Sequence, residues 1–220
     1  MRRRMWFVVL MSVAAWWVRP SSAGATILIN EILADPPAVL GDANRDGVVS
    51  MTQDEFVELV NTSAATVSLA SWKLSDAVQV RHVFSATASI PGYGFYAVFG
   101  GGSPHGFAQA AVASSGGLSL NNGGDTVTLR DASSIIIDMM TYGAEGGANV
   151  SLTRFPDGAG HFLKHNSVSA HPFSPGSTVD GLTELPHESL PIVPEPSSLM
   201  LLGAGAIGLL ARASRRRSMS

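Results

Sequence analysis

The chain of 220 residues contains no cysteine and is poor in lysine and glutamate. The missing cysteine excludes disulfides and every zinc site that needs thiolate ligands. It does not decide the compartment, because a β domain of this size can bury enough apolar area without cross-links. Abundant glycine, serine, alanine, threonine and valine favour a β protein over a helical one. The length suggests one domain flanked by targeting segments.

Acidic side chains dominate the middle of the chain. Eight of the fourteen basic residues lie at the two ends, whereas residues 26–193 hold six basic and sixteen acidic side chains, a formal charge of −10. A domain with this charge repels phosphate backbones, so we expect no nucleic-acid partner. The same charge suits divalent cations.

The first 25 residues have the three parts of a secretory signal peptide. Arg2 to Arg4 are basic, residues 5–18 form an apolar helix-forming run, and Ala23 and Ala25 supply the small side chains that precede cleavage. We expect signal peptidase to cut after Ala25. A retained membrane anchor is the alternative, although the apolar run is shorter than the roughly 20 residues that a span needs.

The C-terminus combines a Pro-Glu-Pro motif, an apolar stretch and a basic tail. Pro194, Glu195 and Pro196 precede a predicted membrane helix over residues 197–211, and arginines follow it up to residue 217. Residues 194–217 resemble the PEP-CTERM sorting signal of Gram-negative bacteria. The resemblance implies cleavage by an exosortase-type transpeptidase and delivery to the cell surface or matrix. Arginines after the helix favour a cytoplasmic tail and an external domain. An ordinary tail anchor is the alternative.

Short apolar segments separated by turn residues recur between the two ends. A glycine-rich stretch at 100–117 is expected to be a loop, and residues 179–193 a linker. Strand spacing of roughly 8–12 residues predicts an all-β sandwich. The predicted strands are residues 26–33, 54–60, 66–74, 80–84, 94–99, 118–120, 125–130, 134–142 and 150–154.

Several short motifs follow one another in residues 26–178. They are Ile29-Asn-Glu-Ile32, Glu55-Phe-Val-Glu-Leu-Val-Asn61, Leu69-Ala-Ser-Trp72, residues 120–129, Asp138-x-x-x-Tyr142 and Ser151-Leu-Thr-Arg154. Their order and spacing resemble the lamin tail domain. The resemblance implies an immunoglobulin-like β-sandwich of the lamin-tail type. In such a domain Trp72 is a core residue, and Glu31 and Glu58 are structural acids that accept hydrogen bonds from neighbouring backbone.

An insert at residues 35–54, between the first two strands, departs from the plain domain. It places Asp42, Asn44 and Asp46 at alternate positions with Gly47 directly after, and in this it resembles dockerin and EF-hand calcium loops. Oxygens at alternate positions can converge on one hard cation, and the glycine that follows them permits a sharp bend. Gln53 holds position twelve, where a bidentate acid is expected, and Val49 is the apolar anchor at position eight. The same residues also favour a metal-free surface turn. The expected structural Ca²⁺ ligands are Asp42, Asn44, Asp46, the Val48 carbonyl, Ser50 and Asp54.

These features together predict a non-enzymatic, calcium-stabilised protein of the cell surface or extracellular matrix. One alternative is a polysaccharide-binding adhesin, with stacking surfaces on Trp72, Tyr93, Tyr96 and Tyr142. Another is a secreted metal-dependent hydrolase or an accessory to a nuclease. No H-E-x-x-H motif supports that alternative, and the abundance of serine, histidine and aspartate makes any proposed catalytic triad uninformative.

Overall fold

A computed structural model describes residues 27–186 of the chain. The predicted signal peptide with Ala23 and Ala25, the motif Pro194 to Pro196 and the helix at 197–211 therefore lie outside the described residues. The described part is almost entirely β, with two short 3₁₀ helices at Ala144–Gly147 and His165–Ser167. Its strands are β1 (Ile27–Leu33), β2 (Phe56–Asn61), β3 (Val67–Ser68), β4 (Lys73–Ser75), β5 (Val80–Val83), β6 (Ser89–Ile90), β7 (Phe95–Phe99), β8 (Ala110–Val112), β9 (Asp125–Arg130), β10 (Ile136–Tyr142), β11 (Leu152–Phe155) and β12 (His161–Lys164).

Two sheets pack face to face and confirm the predicted immunoglobulin-like sandwich. The large sheet has the strand order β12-β11-β1-β2-β7-β8, and the small sheet has the order β10-β9-β4-β5. A two-stranded ribbon, β3-β6, lies beside them. Neighbouring strands are antiparallel except for β7 and β8, which run parallel.

The main core fills the space between the two sheets. Alternation along each strand sends every second side chain inward, so Ile29 and Leu59 of the large sheet meet Leu74 and Leu129 of the small sheet. All four side chains are essentially inaccessible to solvent. Trp72 is half-buried and packs against the edge of this core, which agrees with the role that the sequence resemblance implied for it.

A second apolar cluster lies on the opposite, outer face of the large sheet. Leu33, Phe56 and Phe99 pack there against Phe107 and Phe173. The rings of Phe56 and Phe173 meet edge to face, with their centroids 6.2 Å apart. Phe173 belongs to residues 165–185, which we call the C-terminal cover because they lie over this face.

Several strand assignments from the sequence differ from the structure. The predicted strand at 66–74 is two strands, β3 and β4, because the chain turns between them at Ser71, which has a positive φ of 63°. Residues 118–120 form no strand; Leu118 and Leu120 instead bury their side chains in the main core from a loop. The expected loop at 100–117 contains β8.

The C-terminal end of the domain also differs from the sequence expectation. A twelfth strand follows β11 and pairs with it in antiparallel register. The compact unit reaches Leu185 rather than residue 178. The amide of Leu185 donates a 2.8 Å hydrogen bond to the carbonyl of Tyr93, and Val179 is buried, so residues 179–185 pack on the domain instead of forming a free linker.

Candidate functional site

The insert between β1 and β2 forms a compact loop held by its own side chains. The Asp42 carboxylate accepts hydrogen bonds from the amides of Asp46 (3.1 Å) and Gly47 (3.0 Å). The Asn44 side-chain oxygen also accepts from the Asp46 amide, at 3.0 Å. Gly47 has a φ of 88°, which glycine adopts without strain. Three of the predicted ligands therefore gather around one short turn.

The same loop docks onto the turn that follows β7. One Asp46 oxygen accepts from the Val48 amide (2.9 Å), and the other accepts from the Ser103 amide (3.0 Å). The Asn44 side-chain amide donates to the carbonyl of Gly101 at 3.3 Å. Asn44 is fully buried by this contact.

Asp54 closes the loop from its C-terminal end. Its two carboxylate oxygens accept hydrogen bonds from the amides of Asn44 (3.0 Å) and Ser50 (2.7 Å), and the residue is fully buried. Burial raises the pKa of Asp54 above its ordinary value, and the backbone donors oppose that rise. Asp54 thus braces the two ends of the insert through its hydrogen bonds.

The loop has oxygen donors of the kind that calcium prefers, but the exposure of Val49 and the lack of three converging acids among the described residues do not fit a standard calcium loop. Carboxylate and amide oxygens each keep a second lone pair after accepting one hydrogen bond. Val49, expected to anchor the loop in the core, is 43% exposed. Within residues 27–186 no group of three or more acidic or histidine side chains converges as a metal site. A cation here would depend on Asn44 and on carbonyl oxygens such as that of Val48.

A second polar cluster lies under the C-terminal cover. Glu31 of β1 and Glu58 of β2 are directly opposite each other in the sheet register, and both are fully buried on its outer face. Glu31 accepts hydrogen bonds from the Ser151 hydroxyl (2.5 Å) and from the amide and hydroxyl of Ser174 (3.0 and 2.9 Å). Glu58 accepts from the Gly176 amide at 2.6 Å. The two acids therefore hold the cover against the sheet through these hydrogen bonds.

Asn30 and Asp157 extend this buried acid network. The Asn30 side-chain amide donates to Glu58 (2.9 Å) and to Asp157 (3.0 Å), while its oxygen accepts from the Gly158 amide (2.8 Å). Asp157 in turn accepts from the Val179 amide of the cover at 3.2 Å. His165, also buried, lies within hydrogen-bond distance of the Ser174 hydroxyl through Nε2 (2.9 Å) and of the His171 carbonyl through Nδ1 (2.7 Å).

Burial dominates the electrostatics of the network, because within the described residues no basic side chain forms an ion pair with Glu31 or Glu58. Burial raises the pKa of Glu31 to about 7, although Ser151 and Ser174 stabilise its charged form. Burial, and then the charge of Glu31, raise the pKa of Glu58 well above its ordinary value. Burial also raises the pKa of Asp157 and lowers that of His165. Two carboxyl groups that lie opposite each other in a buried site favour the state in which one of them keeps its proton.

The sequence resemblance implied structural roles for Glu31 and Glu58, and the hydrogen bonds agree with it. Nothing in the sequence predicted that Asp157, His165 and Ser174 would join them, because they lie more than 90 residues away in the chain. Among the expected stacking residues, Tyr96 and Tyr142 are buried in the main core. The prediction that they offer a sugar-stacking surface is therefore wrong.

Within residues 27–186 no helix is long and apolar enough to cross a membrane. A surface cleft of about 260 Å³ opens between the loop and the cover, where Arg45 and His171 line it together with Ser174. Its volume lies below the usual range for small-molecule sites, roughly 300–1,000 Å³.

Comparison with protein families connects this architecture to known sequences. The family model of the Lamin Tail Domain matches residues 20–144, more than half of the chain, and that of the PEP-CTERM protein-sorting motif matches residues 193–217. The resemblances to the lamin tail domain and to the PEP-CTERM signal are thereby confirmed, whereas the resemblance of the insert to a calcium loop stays a prediction. The first match ends before β11 and β12, which complete the large sheet. A comparison with curated proteins finds no match.

Proposed function

The chain belongs to the lamin tail domain family, and from that premise we propose that it is an exported surface protein whose sandwich is a structural or interaction module rather than an enzyme. The observation that carries this proposal is the combination of the family match with the sorting motif at residues 193–217. The motif implies processing by an exosortase-type system. Signal peptidase would first remove residues 1–25, releasing the domain on the outer side of the membrane.

The cleavage motif follows the compact unit in the sequence. The compact unit ends at Leu185, and the eight residues 186–193 separate it from Pro194 along the chain. We infer that the apolar stretch at 197–211 holds the chain in the inner membrane until cleavage near Pro194, Glu195 and Pro196, after which the domain reaches the surface or matrix of a Gram-negative bacterium.

The burial and the hydrogen bonds of Glu31 and Glu58 support a structural rather than a catalytic role. Glu31 and Glu58 are inaccessible to solvent, and their carboxyl oxygens accept hydrogen bonds from the cover and from Asn30. A general acid or base must reach a substrate proton, which these side chains do not in this conformation. Their contacts stabilise the fold.

Calcium belongs to the same proposal as a structural ion. Asp42, Asn44 and Asp46 lie within one turn, and the Val48 carbonyl and Ser50 follow at the spacing of a calcium loop. An ion bound there would neutralise the two aspartates, with Asp54 closing the loop. Its contribution would be local stability, not chemistry.

Cell fractionation tests the proposal in a Gram-negative host with an exosortase-type system. We expect the wild-type chain in the envelope or extracellular fraction, without its first 25 residues. A chain truncated after residue 192 should still be exported but should fail to reach its normal surface location. Recovery of the wild-type chain in the cytoplasm with an intact N-terminus would refute the proposal.

A further inference from the structure

The outer face of the small sheet places two basic side chains side by side. Lys73 of β4 is directly opposite Arg130 of β9 in the register, and the row continues to Val83 of β5 and Ile136 of β10. Their neighbours Leu74 and Leu129 point into the main core, so Lys73 and Arg130 point outward. Both are partly exposed.

In the part of the chain that the structure describes, these two cations lack an acidic partner. Within residues 27–186 the ion pairs are Arg81 with Asp76 and Arg154 with Asp138, and neither Lys73 nor Arg130 has a carboxylate within 4.0 Å. Arg130 donates one hydrogen bond to the carbonyl of Ser134, at 3.2 Å. Like charges directly opposite each other destabilise a sheet. An adjacent, unneutralised pair is notable in a region with sixteen acidic and six basic residues.

Hydroxyl groups continue the same face next to the cations. Thr128 and Ser75 are opposite each other in the next row, and beyond them the hydroxyls of Thr126 and Thr141 lie 2.8 Å apart. A shallow cleft of about 450 Å³ is lined by residues of this row, by Arg130 and by the β4–β5 turn. Asp76, the acidic residue that lines the cleft, already pairs with Arg81 at 2.5 Å.

Exposed apolar side chains border the polar strip on both sides. Val80 and Val83 lie at the β5 edge with 42% and 45% exposure, and Ile136 and Met139 lie at the β10 edge with 48% and 54%. A flat face with central cations, hydroxyls and apolar borders suits an extended anionic chain better than a small molecule, which prefers a concave pocket.

We propose that the outer face of the small sheet binds an acidic polysaccharide. Lys73 and Arg130 contact its carboxylate or sulfate groups, and the accessible hydroxyls of Ser75, Thr126 and Thr141 contact its sugar hydroxyls. This inference rests on the proposed function, which places the domain outside the cell. Two cations are too few for nucleic acid, whose affinity depends on many phosphate contacts, and two copies of the same acidic domain repel each other.

Binding of the purified full-length chain to immobilised polygalacturonate tests the inference, with neutral dextran as the reference matrix. We expect retention on polygalacturonate that weakens with salt, and little retention on dextran. The double variant Lys73→Gln/Arg130→Gln should lose about a hundredfold in affinity, since each of the two charged contacts is worth about one factor of ten. Lys164→Gln, on the edge strand β12 of the other sheet, is the matched control and should bind like the wild type.

Further readouts separate this inference from its competitors. Equal binding of the double variant and the wild type would overturn it, as would preferential binding of anionic phospholipid vesicles or duplex DNA over polygalacturonate. The charge-preserving variant Lys73→Arg should retain binding, and unchanged melting temperatures show that the variants are folded. A surface-located protein that fails to bind polygalacturonate contradicts only this inference, whereas cytoplasmic location contradicts the proposed function itself.

Discussion

Glu31 and Glu58 face each other across two central strands, and both carboxyl groups are fully buried beneath the C-terminal cover. They accept hydrogen bonds from Ser174 and Gly176 of that cover and from Ser151 and Asn30 of the sandwich. Within residues 27–186 no basic side chain forms an ion pair with either acid. The pair therefore joins the cover to the sheet. Burying the two carboxyl groups in their ionised form destabilises the folded state, and this cost is smaller when they are protonated.

Stability should fall as the pH rises through the mildly acidic range. Burial raises the pKa of Glu31 from 4.5 to about 7, and burial also raises that of Glu55 to about 7. The folded state then binds protons that the unfolded state has released. The contribution of these two groups to the free energy of unfolding is therefore fully present below pH 4.5 and is lost as the pH rises toward 7. Urea denaturation of the full-length chain across this range measures the decline.

Glu31→Gln isolates the contribution of the buried acid. The amide can still accept from Ser151 and from the Ser174 amide, and it can donate to the Ser174 hydroxyl. We expect a shallower decline with pH in this variant. Glu184→Gln, at an exposed position, should leave the decline unchanged. Identical pH profiles for Glu31→Gln and wild type would show that Glu31 does not titrate as argued.

Calcium should raise the melting temperature of the full-length chain. An ion that binds only the folded state stabilises it by about 2.7 kcal/mol at a hundredfold excess over Kd. Asp42→Ala should abolish the response to calcium and to a chelator. Asp131→Ala is a matched control, because Asp131 also accepts backbone amides in a turn, from Ser133 and Ile135, but lies outside the loop. A melting temperature insensitive to both calcium and chelator would contradict the proposed ion.

Gly100→Ala should destabilise the domain by about 3 kcal/mol or more. Gly100 follows β7 directly, and a Cβ atom there would overlap the carbonyl oxygen of Thr52 in the insert. The clash involves backbone on both sides, so no side-chain rotation relieves it. Gly117→Ala provides the comparison, since its Cβ would meet only the Ser119 hydroxyl at 3.7 Å. Thermal unfolding that shows equal stability for both variants would contradict the close contact between insert and sheet.

The main features of the fold follow from local sequence patterns. Alternating apolar residues and turn signals locate β1, β2, β7, β9 and β10 to within about two residues. Short or irregular strands cannot be located from these local patterns. The two residues of β3 and the three of β8 form strands because they pair with β6 and β7, respectively. No local sequence pattern predicts that pairing.

The polar contacts are harder to predict than the strands. The repeated aspartates of the insert indicate a loop that folds on itself, and Asp42 and Asp46 do so. The use of Asp54 as a brace depends on where the backbone amides of Asn44 and Ser50 point, which spacing alone does not give. The network under the cover joins residues as far apart as Glu31 and Ser174, so only the tertiary fold brings them together.

The mass of the mature protein, isolated from a Gram-negative host with an exosortase-type system, tests the central claim most directly. The account predicts a chain that begins after Ala25 and has lost the residues beyond the Pro194-Glu195-Pro196 motif. Glu195→Ala should retain the C-terminal segment, whereas Glu188→Ala, a control outside the motif, should be processed like the wild type. A mature wild-type chain that still ends at Ser220 would contradict the claim.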